Sequence, residues 1–215
     1  MTQVILVDPR SPDPEALARA GDVLRGGGLV VYPTETVYGL AGSAFLIDTL
    51  TRVFEAKQRP FSMALPLQVA DRADVETLAR DISPEAYPLI DAYFPGPLTL
   101  VMRRQLTVSL TATGGQNTVG IRMPNHAVAL GVLRAFGAPV VCPSANLTGR
   151  RAPMSVRDVL EDLDGVVDLI LDGGETTDRT PSTVLDVTVS PARLLREGKI
   201  TRTELEEYLA VSALS

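Results

Sequence analysis

The sequence reads as an α/β protein, one domain built on a mixed β-sheet. Two observations carry that reading. Short apolar, β-branched runs bounded by Gly and Pro alternate with segments whose apolar residues recur at helical spacing, though not strictly. No repeat, low-complexity tract or composition shift marks a linker within the 215 residues. That length suits one large domain, or a domain and a tail.

In chain order, residues 4–7 form a first strand. Asp13 then caps a helix with Pro14 at its first position, and Leu17, Ala20, Val23 and Leu24 make its apolar stripe. The run Gly26-Gly27-Gly28 ends it, since a helix end needs a residue that tolerates the left-handed conformation. Strand 29–32 follows and stops at Pro33, where polar Thr34, Glu35 and Thr36 come at once; the apolar stretch 37–41 follows, with Gly39 and then Gly42 set into it. Side chains just past such a strand sit where open α/β sheets place ligands. Residues 48–57 are the next helix. Residues 63–69 read as a strand that Pro66 demotes to an edge or a bulge. Two helices follow at 71–80 and 83–94, the second capped by Ser83 and kinked or broken at Pro88. Strands are expected at 98–102, 119–122, 140–142 and 167–171. Asn125 caps a helix over 127–136 closed by Gly137, and Ser155 caps another over 156–163. A polar loop spans 172–181. A hairpin joins 183–187 to 194–195, and Thr201 with Glu204 opens the last helix as a capping box.

Composition narrows the function. The net charge of -6 and pI of 4.9 weigh against a strong solo RNA binder, which must neutralise phosphates with Lys and Arg. The single cysteine, Cys142, excludes an internal disulfide and a multi-Cys metal site, and the single histidine leaves little for zinc. No apolar run of membrane-spanning length occurs, and the N-terminus has no signal-peptide pattern. The expectation is a cytoplasmic chain with no membrane partner.

Four loops follow short apolar strands or a helix and present hydroxyl, amide or cationic groups: 34–36, 57–59, 144–148 and 180–183. Arg122 and Arg196 end short apolar runs. Such a set suits an anionic ligand, because hydroxyls and amides satisfy phosphate oxygens while Lys and Arg neutralise them. It does not suit a hydrolytic triad, and neither the Walker A sequence nor G-x-G-x-x-G is present. Taken singly, each motif also has a plainer reading. Lys57-Gln58-Arg59 meets a helix dipole, Ser144 and Asn146 build a loop, His126 caps or packs, and Cys142 is buried and inert.

Together the stretches resemble one family. Pro33-Thr34-Glu35-Thr36-Val37-Tyr38-Gly39-Leu40, Lys57-x-Arg59-Pro60, Phe94-Pro95-Gly96-Pro97-Leu98-Thr99, Thr118-Val119-Gly120-Ile121-Arg122-x-Pro124, Pro143-Ser144-Ala145-Asn146-x-x-Gly149, Ser182-Thr183-Val184-x-Asp186 and Leu195-Arg196-x-Gly198-x-Ile200 occur in the order of the YrdC-like threonylcarbamoyl-AMP synthases. The resemblance covers about residues 10–205, nearly the whole chain, and is to the short, single-domain form, so residues 1–215 are expected to be one such domain.

The resemblance implies a twisted mixed sheet flanked by helices around a deep concave groove. It implies a nucleotidyltransferase that turns L-threonine, bicarbonate and ATP into threonylcarbamoyl-AMP and pyrophosphate, with Mg²⁺ on the phosphates and no dedicated protein metal site. A partner transferase would then modify an adenosine beside the tRNA anticodon, so tRNA binding by this chain would be weak or indirect. Lys57 and Arg59 resemble the catalytic positions. Thr34, Gln68, Arg122, Cys142 (through its backbone) and Ser182 resemble the threonine-holding positions. Arg59, Met63, Thr118, Ser144, Asn146, Ala152 and Arg196 resemble those that meet ATP. The pattern departs at Met63, Gln68 and Ala152, where many members carry Asn, His and Ser. Gln68 donates a hydrogen bond but cannot become a cation, and any contact at Met63 or Ala152 would run through the backbone. The alternatives are a non-catalytic RNA-binding module of tRNA or ribosome maturation, and carbamoyl transfer to another acceptor.

Overall fold

Successive side chains of a strand leave it on opposite faces, and the run leading into β2 (Val30–Pro33) is apolar on both. Leu29 and Val31 enter one core, Val30 and Tyr32 the other. At β2 the sheet is therefore buried on both sides, and helices flank it as expected. The computed structural model describes residues 1–176 and 180–212. Its first half contains β1 (Gln3–Leu6), α1 (Pro14–Arg25), β2, β3 (Tyr38–Ser43), α2 (Ile47–Ala56), β4 (Leu67–Gln68), α3 (Asp74–Leu78), α4 (Ala86–Tyr93) and β5 (Leu98–Arg103). Its second half contains β6 (Thr118–Arg122), α5 (Ala127–Phe136), β7 (Val140–Val141), α6 (Val156–Leu163), β8 (Leu169–Asp172), β9 (Thr183–Asp186), β10 (Ala192–Arg196), α7 (Arg202–Glu206) and β11 (Val211–Ser212).

The strands form one mixed sheet in the order β1-β8-β2-β3-β7-β4-β6-β5-β9-β10-β11. β8 runs parallel to β1 and β2, β4 to β6, and β5 to β9; β2–β3, β5–β6 and β9–β10 are antiparallel. One face carries α2, α3, α4, α6 and α7. The other carries α1 and α5, and only over the half that holds β8, β2, β3 and β7. No helix among the described residues is long and apolar enough to cross a membrane.

Caps fall where expected at Asp13, Ser155 and Thr201, the last two as complete capping boxes. Other elements differ, each for a physical reason. Residues 38–41 of the apolar stretch belong to β3, which the glycines disguised. A Cβ on Gly39 would lie 2.5 Å from Cys142 Sγ, and one on Gly42 2.7 Å from Thr49 Cγ2, so close approach rather than a turn explains both. The strand expected at 63–69 contracts to β4, which lies inside the sheet between β7 and β6, not at an edge. Pro66 precedes the ladder, so no N–H is missing from it, and its carbonyl accepts from Cys142 N at 2.8 Å.

Helix 71–80 shortens to α3, and helix 83–94 to α4. Ser83 does not cap α4 with its side chain; its carbonyl accepts from Ala86 N at 2.9 Å. Starting at Ala86 puts Pro88 in the first turn, where a missing N–H costs nothing, so no break is needed. The cap of α5 is His126, one residue beyond Asn125, with Nδ1 accepting from Val128 N at 3.2 Å. The two-residue β11 carried no sequence signal. Of the polar loop expected at 172–181, residues 177–179 lie outside the described part, as do 213–215 at the end of the chain.

Candidate functional site

The half of the sheet left bare by α1 and α5 is the floor of a pocket of about 540 Å³. The period of two sets this floor. In β5, Leu98, Leu100 and Met102 enter the core while Thr99 and Val101 face the pocket. In β6, Val119 and Ile121 go inward, and Thr118, Gly120 and Arg122 go to the floor. Gln68 of β4, Ser182 just before β9, and Val184 within β9 complete the same face. The β2–β3 loop contributes Thr34 and Thr36, the turn after α2 contributes Arg59, and the segment after β7 contributes Cys142, Ser144 and Asn146.

The charge of this wall is one-sided. Arg59, Arg122, Arg150 and Arg196 line it, and among the described residues no Asp or Glu does, in a chain of net charge -6. Three of the guanidinium groups are anchored alike. Arg59 donates through Nε to Met63 O (3.1 Å) and through Nη2 to Ala64 O (2.7 Å). Arg122 donates through Nε to Gly96 O (3.2 Å) and through Nη2 to Thr36 Oγ1 (3.1 Å). Arg196 donates through Nε to Ser182 O (3.0 Å) and through Nη2 to Ser182 Oγ (3.1 Å). Among the described residues nothing takes the Nη1 group of any of the three. Each fork is fixed along its Nε–Nη2 edge and keeps Nη1 for a carboxylate or phosphate oxygen, although at Arg122 Glu35 also stands against Nη2.

Arg122 is buried and has its own counter-ion. Glu35 Oε1 lies 2.8 Å from Arg122 Nη2, although neither carboxylate oxygen makes a well-aligned hydrogen bond. Glu35 stands outside this pocket and lines a smaller one beside Asn125 and Lys199. The neighbouring hydroxyls are bonded to each other or to the main chain. Thr34 Oγ1 donates to Val37 O at 2.7 Å and lies 3.0 Å from Thr36 Oγ1, and Ser182 Oγ lies 2.9 Å from Thr99 Oγ1. Tyr32 donates to Gln68 Oε1 at 3.0 Å, which leaves the Gln68 amide nitrogen for the pocket. Burial pushes the Cys142 thiol up to about 11 and raises Tyr32 as well.

Thr34, Arg59, Gln68, Thr118, Arg122 and Cys142 therefore meet at one wall, and Ser144, Asn146, Ala152, Ser182 and Arg196 join them. Asn146 Nδ2 is spent on Leu147 O and Arg150 O, while its Oδ1 is buried and unpartnered. Two of the expected residues lie off the wall. Met63 is 42% exposed, and its carbonyl serves Arg59. Lys57 is 2% exposed and points beneath the 144–146 segment. Thr99, Gln116 and Arg150 line the pocket without having been assigned a role from the sequence, and Thr36, placed only within the 34–36 loop, lines it too. Thr99 had a signal, since it interrupts an apolar run at an alternate position. A second pocket of about 700 Å³ adjoins this one through Arg150 and Ala152; its lining mixes arginines with five carboxylates. Among the described residues no group of three or more His, Cys, Asp or Glu is placed to hold a metal ion.

Comparison with known proteins places the chain in a family. The family model for Sua5, YciO and YrdC, described as telomere recombination, matches residues 22–198. A threonylcarbamoyl-AMP synthase of Pyrococcus abyssi is 41% identical over 209 residues, 97% of this chain and 61% of the relative. One of Bacillus subtilis is 38% identical over 207 residues, 96% of this chain and 60% of the relative. A crystal structure of P. abyssi Sua5 complexed with L-threonine superposes with a TM-score of 0.92 at 38% identity, covering 97% of this chain and 62% of that one. The chain thus spans about three fifths of the length of these relatives.

Proposed function

The chain belongs to the Sua5/YciO/YrdC family, and on that premise we propose that it is a threonylcarbamoyl-AMP synthase, a nucleotidyltransferase acting on L-threonine, bicarbonate and ATP. The observation that carries the reading is the pocket wall: four arginines and, among the described residues, no carboxylate on the wall itself, inside an acidic molecule, with Glu35 and Asp162 pairing Arg122 and Arg150 from outside it. A site that collects a carboxylate, a bicarbonate and a triphosphate needs that imbalance.

The reaction needs alignment and charge neutralisation more than a protein nucleophile. The amine of threonine and bicarbonate condense to a carbamate with loss of water. A carbamate oxygen attacks the α-phosphorus of ATP, the bond to the bridging oxygen breaks, and pyrophosphate leaves. The free Nη1 group of Arg122 takes the threonine carboxylate, with Thr34, Ser182 and the Gln68 amide nitrogen around the amino acid. Arg59 and Arg196 meet the phosphates, beside Thr118, Ser144 and Asn146. ATP enters as its Mg²⁺ complex, the ion staying on phosphate and water oxygens. Among the described residues the wall offers that ion no carboxylate, which fits an ion carried on the nucleotide. The product then passes to a separate transferase that modifies tRNA, and the acidic exterior supports only weak or indirect tRNA contact.

Incubation with ¹³C-bicarbonate, L-threonine and Mg·ATP, read by mass spectrometry, tests the reading. A product with the mass of threonylcarbamoyl-AMP carrying one ¹³C, and dependent on threonine, is expected. Its absence, with the protein folded and all three substrates present, would refute the assignment.

A further inference from the structure

One buried cation has no place on the pocket wall. Lys57 follows the last turn of α2 and is 2% exposed. Its Nζ donates to Ser144 O at 2.5 Å and to Asn146 O at 2.6 Å, and its own carbonyl accepts from Thr148 N at 2.8 Å. Both ends of this residue therefore grip residues 144–148. No carboxylate lies within ion-pair distance of it among the described residues. The charged and titratable groups that act on it are Arg59, Cys142 and Asp162. Desolvation lowers its ammonium to about 8, with Arg59 adding to the effect. An ammonium buried without a counter-ion persists only where its N–H groups are bonded, and here main-chain carbonyls bond it.

Those carbonyls belong to Ser144 and Asn146, two residues of the pocket lining. The same segment is held by Asp162, which accepts from Leu147 N at 2.9 Å. We propose that Lys57 is a positioning residue: through two carbonyls it fixes residues 144–146 so that Ser144 and Asn146 keep their places on the pocket wall that meets the nucleotide, and it does not touch the phosphates itself. The inference rests on the nucleotide reading of the pocket.

The chain has two lysines, Lys57 and the exposed Lys199, so amine-selective labelling reports on them separately. Reductive methylation of the wild-type protein should leave Lys57 unmodified with or without Mg·ATP. Modification of Lys57 that Mg·ATP suppresses would overturn the proposal. In Lys57→Met, hydrogen exchange at 144–148 should accelerate, and the KM for ATP should rise roughly tenfold, a change of about 1.4 kcal/mol in binding. The KM for threonine should move far less. A collapse of kcat with exchange at 144–148 unchanged would instead place Lys57 at the reacting phosphate. A purely structural role would lower the active fraction and leave both KM values unchanged, which also contradicts the proposal. If Lys57→Met does not fold, the wild-type labelling result decides. Calorimetric titration of the wild-type protein with Mg·ATP separates the two ideas: no binding refutes the nucleotide reading, whereas accelerated exchange in Lys57→Met still shows what the ammonium holds.

Discussion

Arg122 shows how much one side chain is asked to do. Its guanidinium holds Gly96 O and Thr36 Oγ1, faces Glu35, and leaves Nη1 to the pocket. Lysine keeps the charge but not the fork, so Arg122→Lys should raise the KM for threonine about tenfold or more while the circular dichroism spectrum stays native. An unchanged KM would mean that point charge alone suffices. Cys142 makes the opposite case. With its thiol pushed up to about 11 by burial, it should resist a thiol reagent at pH 7.5 in the native protein and react once unfolded. Rapid native labelling would contradict the burial seen here. Arg59 and Arg122 were legible as cations beside a site, because their sequence context pointed at an anion. The separate fates of Lys57 and Arg59 were not legible. Gln58 between them has a φ of 46°, and that turn sends one cation under the 144–146 segment and the other onto the pocket wall. Spacing in sequence cannot show such a reversal, since a non-glycine residue seldom adopts it.

Among the elements, α5 offers a test with a defined sign. His126 caps it through an unprotonated Nδ1, and burial holds the imidazole below its usual value of 6.5, against a smaller opposing pull from Glu35. A group whose pKa is depressed in the folded state contributes stability above its unfolded pKa and loses it as pH falls through the folded one. His126→Ala should therefore cost about 1 kcal/mol at pH 7.5. The gap from wild type should narrow at pH 5, measured as unfolding midpoints in urea at both values. A gap that widens on acidification would contradict the cap. Elements with continuous apolar runs or side-chain caps were readable: β2, α1, α6 and α7 stand close to their expected positions. β3 was hidden because its glycines answer to tertiary contacts: Gly39 to Cys142, far along the chain, and Gly42 to Thr49 on the next helix. The position of β4 was hidden because a two-residue strand takes its place from neighbours, and only tertiary pairing puts it between β7 and β6.

At the scale of the molecule, the site exists because helices cover the sheet unequally. Five lie on one face; α1 and α5 cover only half of the other, and the bare half becomes a cationic floor in an acidic protein. The alternation of elements announced the sheet. Which strands would lie side by side is a property of the order β7-β4-β6-β5-β9, which pairs segments as far apart in sequence as Leu98 and Thr183 and leaves no local mark. The most direct test of the whole account is pyrophosphate release from Mg·ATP by the purified protein, with threonine and bicarbonate each supplied or withheld. Release should require both, and Arg59→Ala should abolish it in a protein that still folds. Release that ignores threonine or bicarbonate, or none under any combination, would contradict the claim that this pocket joins a threonine carbamate to an adenylate.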